Sequence, residues 1–213
     1  MIPAPQELGT PARGGLSDTV TAFKDGVRFR CTRCGACCAS LGRDLPLLID
    51  DVRRLARHLS MTVPAFVRRY CVYTVDVVRD GDRTIRIPSL HLRVPPSGRC
   101  VFLADSNECS VQDVKPFICA NSPFMRYVAV SRERWHAAVS MCPGIGIGRF
   151  HSGRAIERLL RQDDAAERRD VGRILAAGGS LARVLGVRLT KPVIRRTIRR
   201  TNARRSSPRV ACR

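Results

Sequence analysis

The segment Cys31-Thr-Arg-Cys34-Gly-Ala-Cys37-Cys38 places four thiols within eight residues of this 213-residue chain. A small core can bury one or two cysteines as ordinary apolar residues, but four so close together cannot all be buried separately. Their sulfurs must converge on a common partner or pair with one another. Gly35 occupies the position where such a turn often needs a positive φ, which lets backbone amides point toward sulfur.

Four later cysteines also lie beside turn-forming residues, where backbone amides can donate to a thiolate. Together with the first four they form the predicted metal ligands: Cys31, Cys34, Cys37, Cys38, Cys100, Cys109, Cys119 and Cys142. We expect Cys71 to be a buried free thiol and Cys212 to be a bystander in the C-terminal tail. The neighbours Cys37 and Cys38 are expected to diverge in an extended backbone, so that they serve different ions or one of them bridges.

The N-terminal sequence bears on the compartment of the protein, and the compartment decides whether its thiols are kept reduced. Met1-Ile-Pro-Ala-Pro-Gln-Glu has neither the basic start nor the apolar core of a signal peptide. No run of 18 apolar residues occurs, so no membrane span is expected. We therefore expect a cytoplasmic protein, in which ten cysteines hold metal more often than they form disulfides.

The order of the cysteine motifs resembles a known family. The motifs are Cys-x₂-Cys-Gly-x-Cys-Cys at 31–38, Gly-x-Cys-x-Phe-Leu at 98–103, Cys-Ser-x₄-Lys-Pro-x₂-Cys at 109–119, Ser-Pro-Phe at 122–124 and Cys-Pro-Gly at 142–144. This series resembles the YkgJ-type cysteine-cluster family, over about residues 28–146. The resemblance implies a zinc- or iron-chelating domain. Ala120 and Ser122 stand where such proteins usually carry an arginine and an aromatic residue.

Spacing alone leaves the identity of the metal open. Zinc takes four thiolates tetrahedrally and often uses a Cys-x₂-Cys pair, so eight sulfurs fit two sites or one two-metal site with bridging thiolates. An iron–sulfur cluster is the alternative, because Cys-x₂-Cys-x₂-Cys also opens a ferredoxin-type run that a Cys-Pro ends. Here the Cys142-Pro143 pair lies far from the first cysteines. Zinc or iron, including an iron–sulfur cluster, is the predicted cofactor.

Function beyond metal binding has two further candidates. An iron–sulfur oxidoreductase-type protein is the first, although no HExxH, nucleophile elbow or Walker loop occurs and no substrate is predicted. The second is weak, non-specific binding of nucleic acid or an acidic surface by the C-terminal tail. Twelve basic residues and no acidic residue follow Asp170, and this excess attracts polyanions. That stretch has no aromatic residue to stack on bases.

The predicted fold is α+β: a small, cysteine-rich, metal-stabilised domain with short helices and β-hairpins, followed by a basic, partly helical C-terminal extension. We divide the chain into a flexible leader (1–26), a cysteine-cluster metal-binding domain (27–148), a helical extension (149–190) and a basic disordered tail (191–213).

Local patterns predict the individual elements. Helices are expected after N-caps at Asp50, Thr62 and Ser152, with a break at Gly178-Gly179 and a short helix over 181–185. A strand is expected at 27–30, and Asp80-Gly81 predicts a hairpin joining strands at 72–78 and 84–87 that Leu90, Leu92 and Val94 extend. A second strand pair is expected at 127–130 and 135–139.

Overall fold

The structure of the protein is a computed structural model that describes residues 23–39, 45–80, 83–129 and 131–199. Its helices are Ala36–Ala39 (α1), Ile49–His58 (α2), Val63–Tyr70 (α3), Phe117–Asn121 (α4), Arg126–Ala129 (α5), Arg132–Met141 (α6), Gly153–Ala176 (α7) and Leu181–Leu185 (α8). Its strands are Val27–Phe29 (β1), Pro46–Leu47 (β2), Cys71–Asp80 (β3), Arg83–Leu92 (β4), Arg149–His151 (β5) and Val193–Arg199 (β6). The mixture confirms the predicted α+β class.

The larger sheet has the strand order β2-β4-β3-β6. Its centre is the hairpin predicted from Asp80-Gly81, in which β3 and β4 pair antiparallel from Cys71↔Leu92 to Asp80↔Arg83. The β4 strand continues through Leu90 and Leu92 as expected and ends there, so that Val94 lies outside it. This sheet, with α2 and α3 packed near one end, frames the larger core.

Strand β6 corrects the prediction of a disordered tail from residue 191. Residues 193–199 pair in parallel with β3, with a register shift between Asp76 and Val78. The Arg pairs of this stretch suggested a solvated chain, but β-branched residues separate them and favour a pleated strand. The second edge of β3 provides the backbone partners. Residues 200–213 lie outside the described residues.

The second sheet contains only β1 and β5 among the described residues, paired antiparallel from Val27↔His151 to Phe29↔Arg149. Strand β1 was predicted at 27–30 and is confirmed for its first three residues. Phe23, which the prediction assigned to the leader, is buried. Residues 1–22 of that leader lie outside the described part of the chain.

Two of the three predicted N-caps are confirmed, because the side-chain oxygens of Thr62 and Ser152 accept backbone hydrogen bonds at the starts of α3 and α7. Ser180, which was not predicted as a cap, does the same at the start of α8. The prediction for α2 was wrong by two residues, because the N-cap is Leu48 and Asp50 lies inside the first turn. The carboxylate of Asp51 accepts the Leu48 N–H instead, at 3.1 Å.

The second predicted strand pair was also wrong, because helices α5 and α6 occupy this region. Short apolar runs at 127–130 and 135–139 fit a strand or a buried helix equally well. The deciding local feature is Ser131, whose hydroxyl oxygen accepts the Arg134 N–H at 3.3 Å and starts α6. Val130 lies outside the described residues.

Two hydrophobic clusters hold these elements together. The larger contains Val52, Leu55, Phe66, Leu92 and Phe102 among its buried residues, and the smaller contains Phe23, Phe124, Ala129, Ile156 and Leu160. The helical extension contributes to both, because α7 carries Ile156 and Leu160 at one end and Ile174 at the other. None of the helices in the described residues is long and apolar enough to cross a membrane.

Helix α7 is also anchored to α2 by polar contacts. The Asp170 carboxylate accepts the Ile49 N–H at 2.7 Å, and the Arg173 guanidinium donates to Asp50 at 2.8 Å. Near the middle of α7, Asp164 forms an ion pair with Arg126 of α5. Helix α7, which follows the last cysteine motif, thus packs against parts of the chain that lie before and after the first cysteine segment.

Candidate metal centre

All nine cysteines within the described residues are free thiols. Cys31, Cys34 and Cys37 are exposed, whereas Cys38, Cys100, Cys109, Cys119 and Cys142 are partly buried and Cys71 is buried. The buried free state of Cys71 matches its prediction, and burial raises the pKa of its thiol to about 12. Cys212 lies outside the described residues.

The first cysteine segment turns at Gly35 and then forms helix α1. Gly35 has a φ of +73°, which confirms the predicted positive φ. Its carbonyl accepts hydrogen bonds from the N–H groups of Cys38 and Ala39, at 2.9 and 2.8 Å. A Cβ on residue 35 would lie 3.0 Å from the Asn107 carbonyl oxygen. The glycine therefore permits both the backbone conformation and close contact with the later loop.

Cys37 and Cys38 lie on α1 with their sulfurs 3.9 Å apart. This corrects the expectation that they diverge in an extended backbone. The neighbouring Cys38 thiol lowers the pKa of Cys37 to about 6 by hydrogen bonding to its thiolate, and the nearby Lys115 ammonium acts in the same direction. The same contact raises the pKa of Cys38, because the pair shares one proton between two sulfurs.

The loop that carries Cys100 and Cys109 meets α1 directly. The Cys100 N–H donates to the Cys38 carbonyl at 2.8 Å, so the start of this loop contacts the end of α1. The loop closes on itself through a bridge between Leu103 and Cys109. Asn107, with a φ of +62°, makes the turn between these residues. The predicted turns beside these cysteines thus bring them to the same side of the molecule as α1.

The third segment is helix α4, which carries Cys119 and is held by α2. Asp51 is only 1% exposed, and its carboxylate accepts the Phe117 N–H at 3.0 Å and an Arg54 N–H at 2.5 Å, besides the N–H of Leu48. Burial raises the pKa of the Asp51 carboxyl, and these donors oppose that shift. The first turn of the Cys119 helix is therefore attached to a buried side chain.

Arg54 extends this attachment to the preceding loop. Its guanidinium donates to the carbonyls of Val114 and Lys115, at 3.3 and 3.0 Å, while it also contacts Asp51. We call Asp51 and Arg54 the α2 clamp. The sequence analysis did not identify this clamp. An acidic residue at the third helical position, typical of a capping box, was the available signal.

Five thiols influence one another electrostatically, and we call them the five-thiol group: Cys37, Cys38, Cys100, Cys109 and Cys119. Burial raises the pKa of Cys119 to about 12, and the negative charges of Cys100, Cys37 and Cys109 add to the effect. The pKa of Cys100 is also raised, again mainly by burial and then by Cys109 and Cys37. Sulfurs from three separate segments thus interact electrostatically.

The structure brings the other three predicted ligands together less closely. Cys31 follows Arg30, and the Arg30 N–H donates to the Gly144 carbonyl at 3.1 Å. The backbone carbonyl of Cys142 accepts the Ile145 N–H, also at 3.1 Å. The backbones around Cys31 and Cys142 are therefore adjacent. Within the described residues, the sulfur–sulfur contact that the structure records is the one between Cys37 and Cys38, and Cys31, Cys34 and Cys142 take no part in it.

The donor set fits a soft or borderline metal ion by chemical type. Free thiols are the ligands of zinc and of iron–sulfur centres, and the five-thiol group has enough of them for a closed site. Within the described ranges, however, no three or more Cys, His, Asp or Glu side chains are arranged as an ion site.

These features define a small α+β protein with a cluster of unbridged thiols from distant segments. A family model described as "CxxCxxCC: putative zinc- or iron-chelating domain" matches residues 30–143. The chain belongs to this family. The matched region contains all eight predicted ligands and ends before β5 and the long helix α7.

Searches of curated proteins and of solved structures gave no match to the chain.

Proposed function

We propose that this protein binds zinc or iron through cysteine thiolates, with Cys31, Cys34, Cys37, Cys38, Cys100, Cys109, Cys119 and Cys142 as the ligand set. The five-thiol group carries the proposal, because its thiols are free, the Cys37 and Cys38 sulfurs lie 3.9 Å apart, and the charges of Cys37, Cys100 and Cys109 act on Cys119 from other segments. Unpaired thiols this close in a folded protein share protons or bind a metal. The bound ion would supply the positive charge that stabilises several neighbouring thiolates at once.

The arrangement favours metal binding over an open catalytic centre. Catalytic zinc usually keeps three protein ligands and one open position, whereas the five-thiol group offers more sulfurs than one tetrahedral ion needs. Cys31, Cys34 and Cys142 would complete the same site or form a second one, which the adjacent backbones at Arg30 and Gly144 support. An iron–sulfur cluster is the alternative occupant. Association of the basic tail with nucleic acid stays a prediction.

The test is elemental analysis of full-length protein purified without air. We expect zinc, or iron with acid-labile sulfide if the occupant is a cluster. Cys109→Ser and Cys119→Ser should each lower the bound metal by half or more. The matched control is Cys71→Ala, a buried thiol outside the group, which should keep the metal. Metal-free protein that also fails to take up Zn²⁺ or Fe²⁺ under reducing conditions would contradict the proposal.

A further inference from the structure

A cavity of about 390 Å³ lies at the junction of α3, the start of β3, the end of β4 and residues 186–190. The volume lies within the range of pockets that bind small molecules. The cavity is formed by residues outside the five-thiol group, and no cysteine of the proposed ligand set lines it. Its own lining therefore determines what it can bind.

The floor of the cavity is apolar. Val67, Cys71 and Leu90 are buried there, and Val187 and Leu189 cover one side. The Cys71 thiol stays protonated at neutral pH, because burial raises its pKa to about 12. This floor favours contact with hydrocarbon and disfavours a charged group.

The rim of the cavity is cationic. Arg68, Arg93 and Arg188 line it, and none of the described lining residues has a carboxylate. Arg93 donates from Nη2 to the Cys71 carbonyl at 2.8 Å, which holds this guanidinium in place and leaves its other N–H groups available. Arg68 and Arg188 form no ion pair with a described residue. The three arginines are exposed and line the same cavity, so an anion bound there would lie near several positive charges.

We propose that this cavity binds a small amphiphile with an anionic head group and an apolar body. The head group, a carboxylate or a phosphate, would lie between the arginines, because planar guanidinium forks match both anions. The apolar body would cover Val67, Leu90 and Leu189. This site is independent of the proposed metal centre, so either proposal can fail without the other.

The test is calorimetric titration of the full-length protein with decanoate, decyl phosphate and decanol. We expect at least one of the two anions to bind about tenfold more tightly than decanol, because charge-assisted hydrogen bonds are lost with the alcohol. The preferred anion distinguishes a carboxylate from a phosphate head group. Binding of decanol as tight as that of both anions, or no binding of any probe, would overturn the proposal.

Variants separate this site from the general positive charge of the chain. The double variant Arg68→Gln/Arg188→Gln should weaken binding of the preferred anion about tenfold or more. The control is Arg69→Gln, which removes an exposed arginine of the same helix that lies over the Tyr70 ring and does not line the cavity. Leu189→Trp should block the cavity and abolish binding. Equal losses in the arginine double variant and the control would show non-specific attraction and overturn the site, with folding of each variant checked by circular dichroism.

Discussion

At the residue scale, the side chain of Asp51 links the core to a proposed metal ligand. Its carboxylate accepts the Phe117 N–H two residues before Cys119 and is almost completely buried. Asp51→Ala would leave this donor, the Leu48 N–H and Arg54 without their acceptor. We expect a loss of about 2–3 kcal/mol in the free energy of unfolding, measured by urea denaturation. Metal content should fall as well, because α4 loses its attachment.

The neighbouring carboxylate provides the control for this experiment. Asp50 is exposed and pairs with Arg173 and Arg53 at the surface. Asp50→Ala should cost less than about 1 kcal/mol, as exposed ion pairs usually do, and should leave metal content unchanged. If both variants lose the same stability and the same metal, the α2 clamp does not position Cys119.

The contact between Cys37 and Cys38 also belongs to this scale. In an extended chain, neighbouring side chains point to opposite faces, which is why they were expected to diverge. The short helix α1 changes this geometry, since successive residues are then only about 100° apart around the axis. Gly35 permits the turn before this helix with its positive φ. The glycine was recognised from the sequence, but the helix that follows it was not.

At the scale of elements, β6 covers the second edge of β3. Deleting residues 191–213 would remove β6 and leave the backbone groups along β3 without this partner. We expect a lower urea midpoint and concentration-dependent association in size-exclusion chromatography, because an exposed edge pairs with other chains.

A shorter deletion tests whether the strand itself is responsible. Removing only residues 200–213 takes away much of the tail charge and keeps β6. This variant should unfold at nearly the urea midpoint of the full chain and remain in the same association state. Identical behaviour of the two deletions would mean that β6 contributes nothing to the stability of the sheet.

The helices α5 and α6 show why local patterns misassign elements. Their apolar residues are too few to distinguish a period of 3.6 from one of 2. Their place is decided by packing, because Val128 and Ala129 are buried and Arg126 pairs with Asp164 of α7, 38 residues further along the chain. No window of local sequence contains that partner.

At the scale of the whole molecule, the proposed metal centre and the larger core are coupled. Cys100, Cys109 and Cys119 pack against the buried cluster that includes Phe66 and Phe102. A metal that binds only the folded state adds its binding free energy to stability, about 3 kcal/mol at a ligand concentration one hundred times Kd. We therefore expect chelator-treated, reduced protein to unfold at a clearly lower urea concentration than the metal-bound form.

A variant that lacks one of the proposed metal ligands serves as a control for this experiment. Cys119→Ser should show little difference between its chelated and metal-supplemented forms, whereas Cys71→Ala should respond like the unaltered protein. A chain whose urea midpoint is the same with and without metal would show that the apolar core alone stabilises the fold.

The sequence by itself determined the α+β class, the family, the hairpin at Asp80-Gly81 and the caps of α3 and α7. Each of these depends on residues close together in the chain, or on an ordered series of motifs that needs no coordinates. The sequence also identified the eight cysteines as candidate ligands, since their residue type and spacing carry that information.

Only the tertiary structure decided which thiols influence one another, because this depends on the contact of α1 with the 100–109 loop and of α4 with α2. The α2 clamp, the parallel pairing of β6 and the arginine-lined cavity have the same origin. In each, residues from separate parts of the chain become neighbours through packing or strand pairing. These long-range contacts are a property of the whole fold and leave no periodic trace in a local window of sequence.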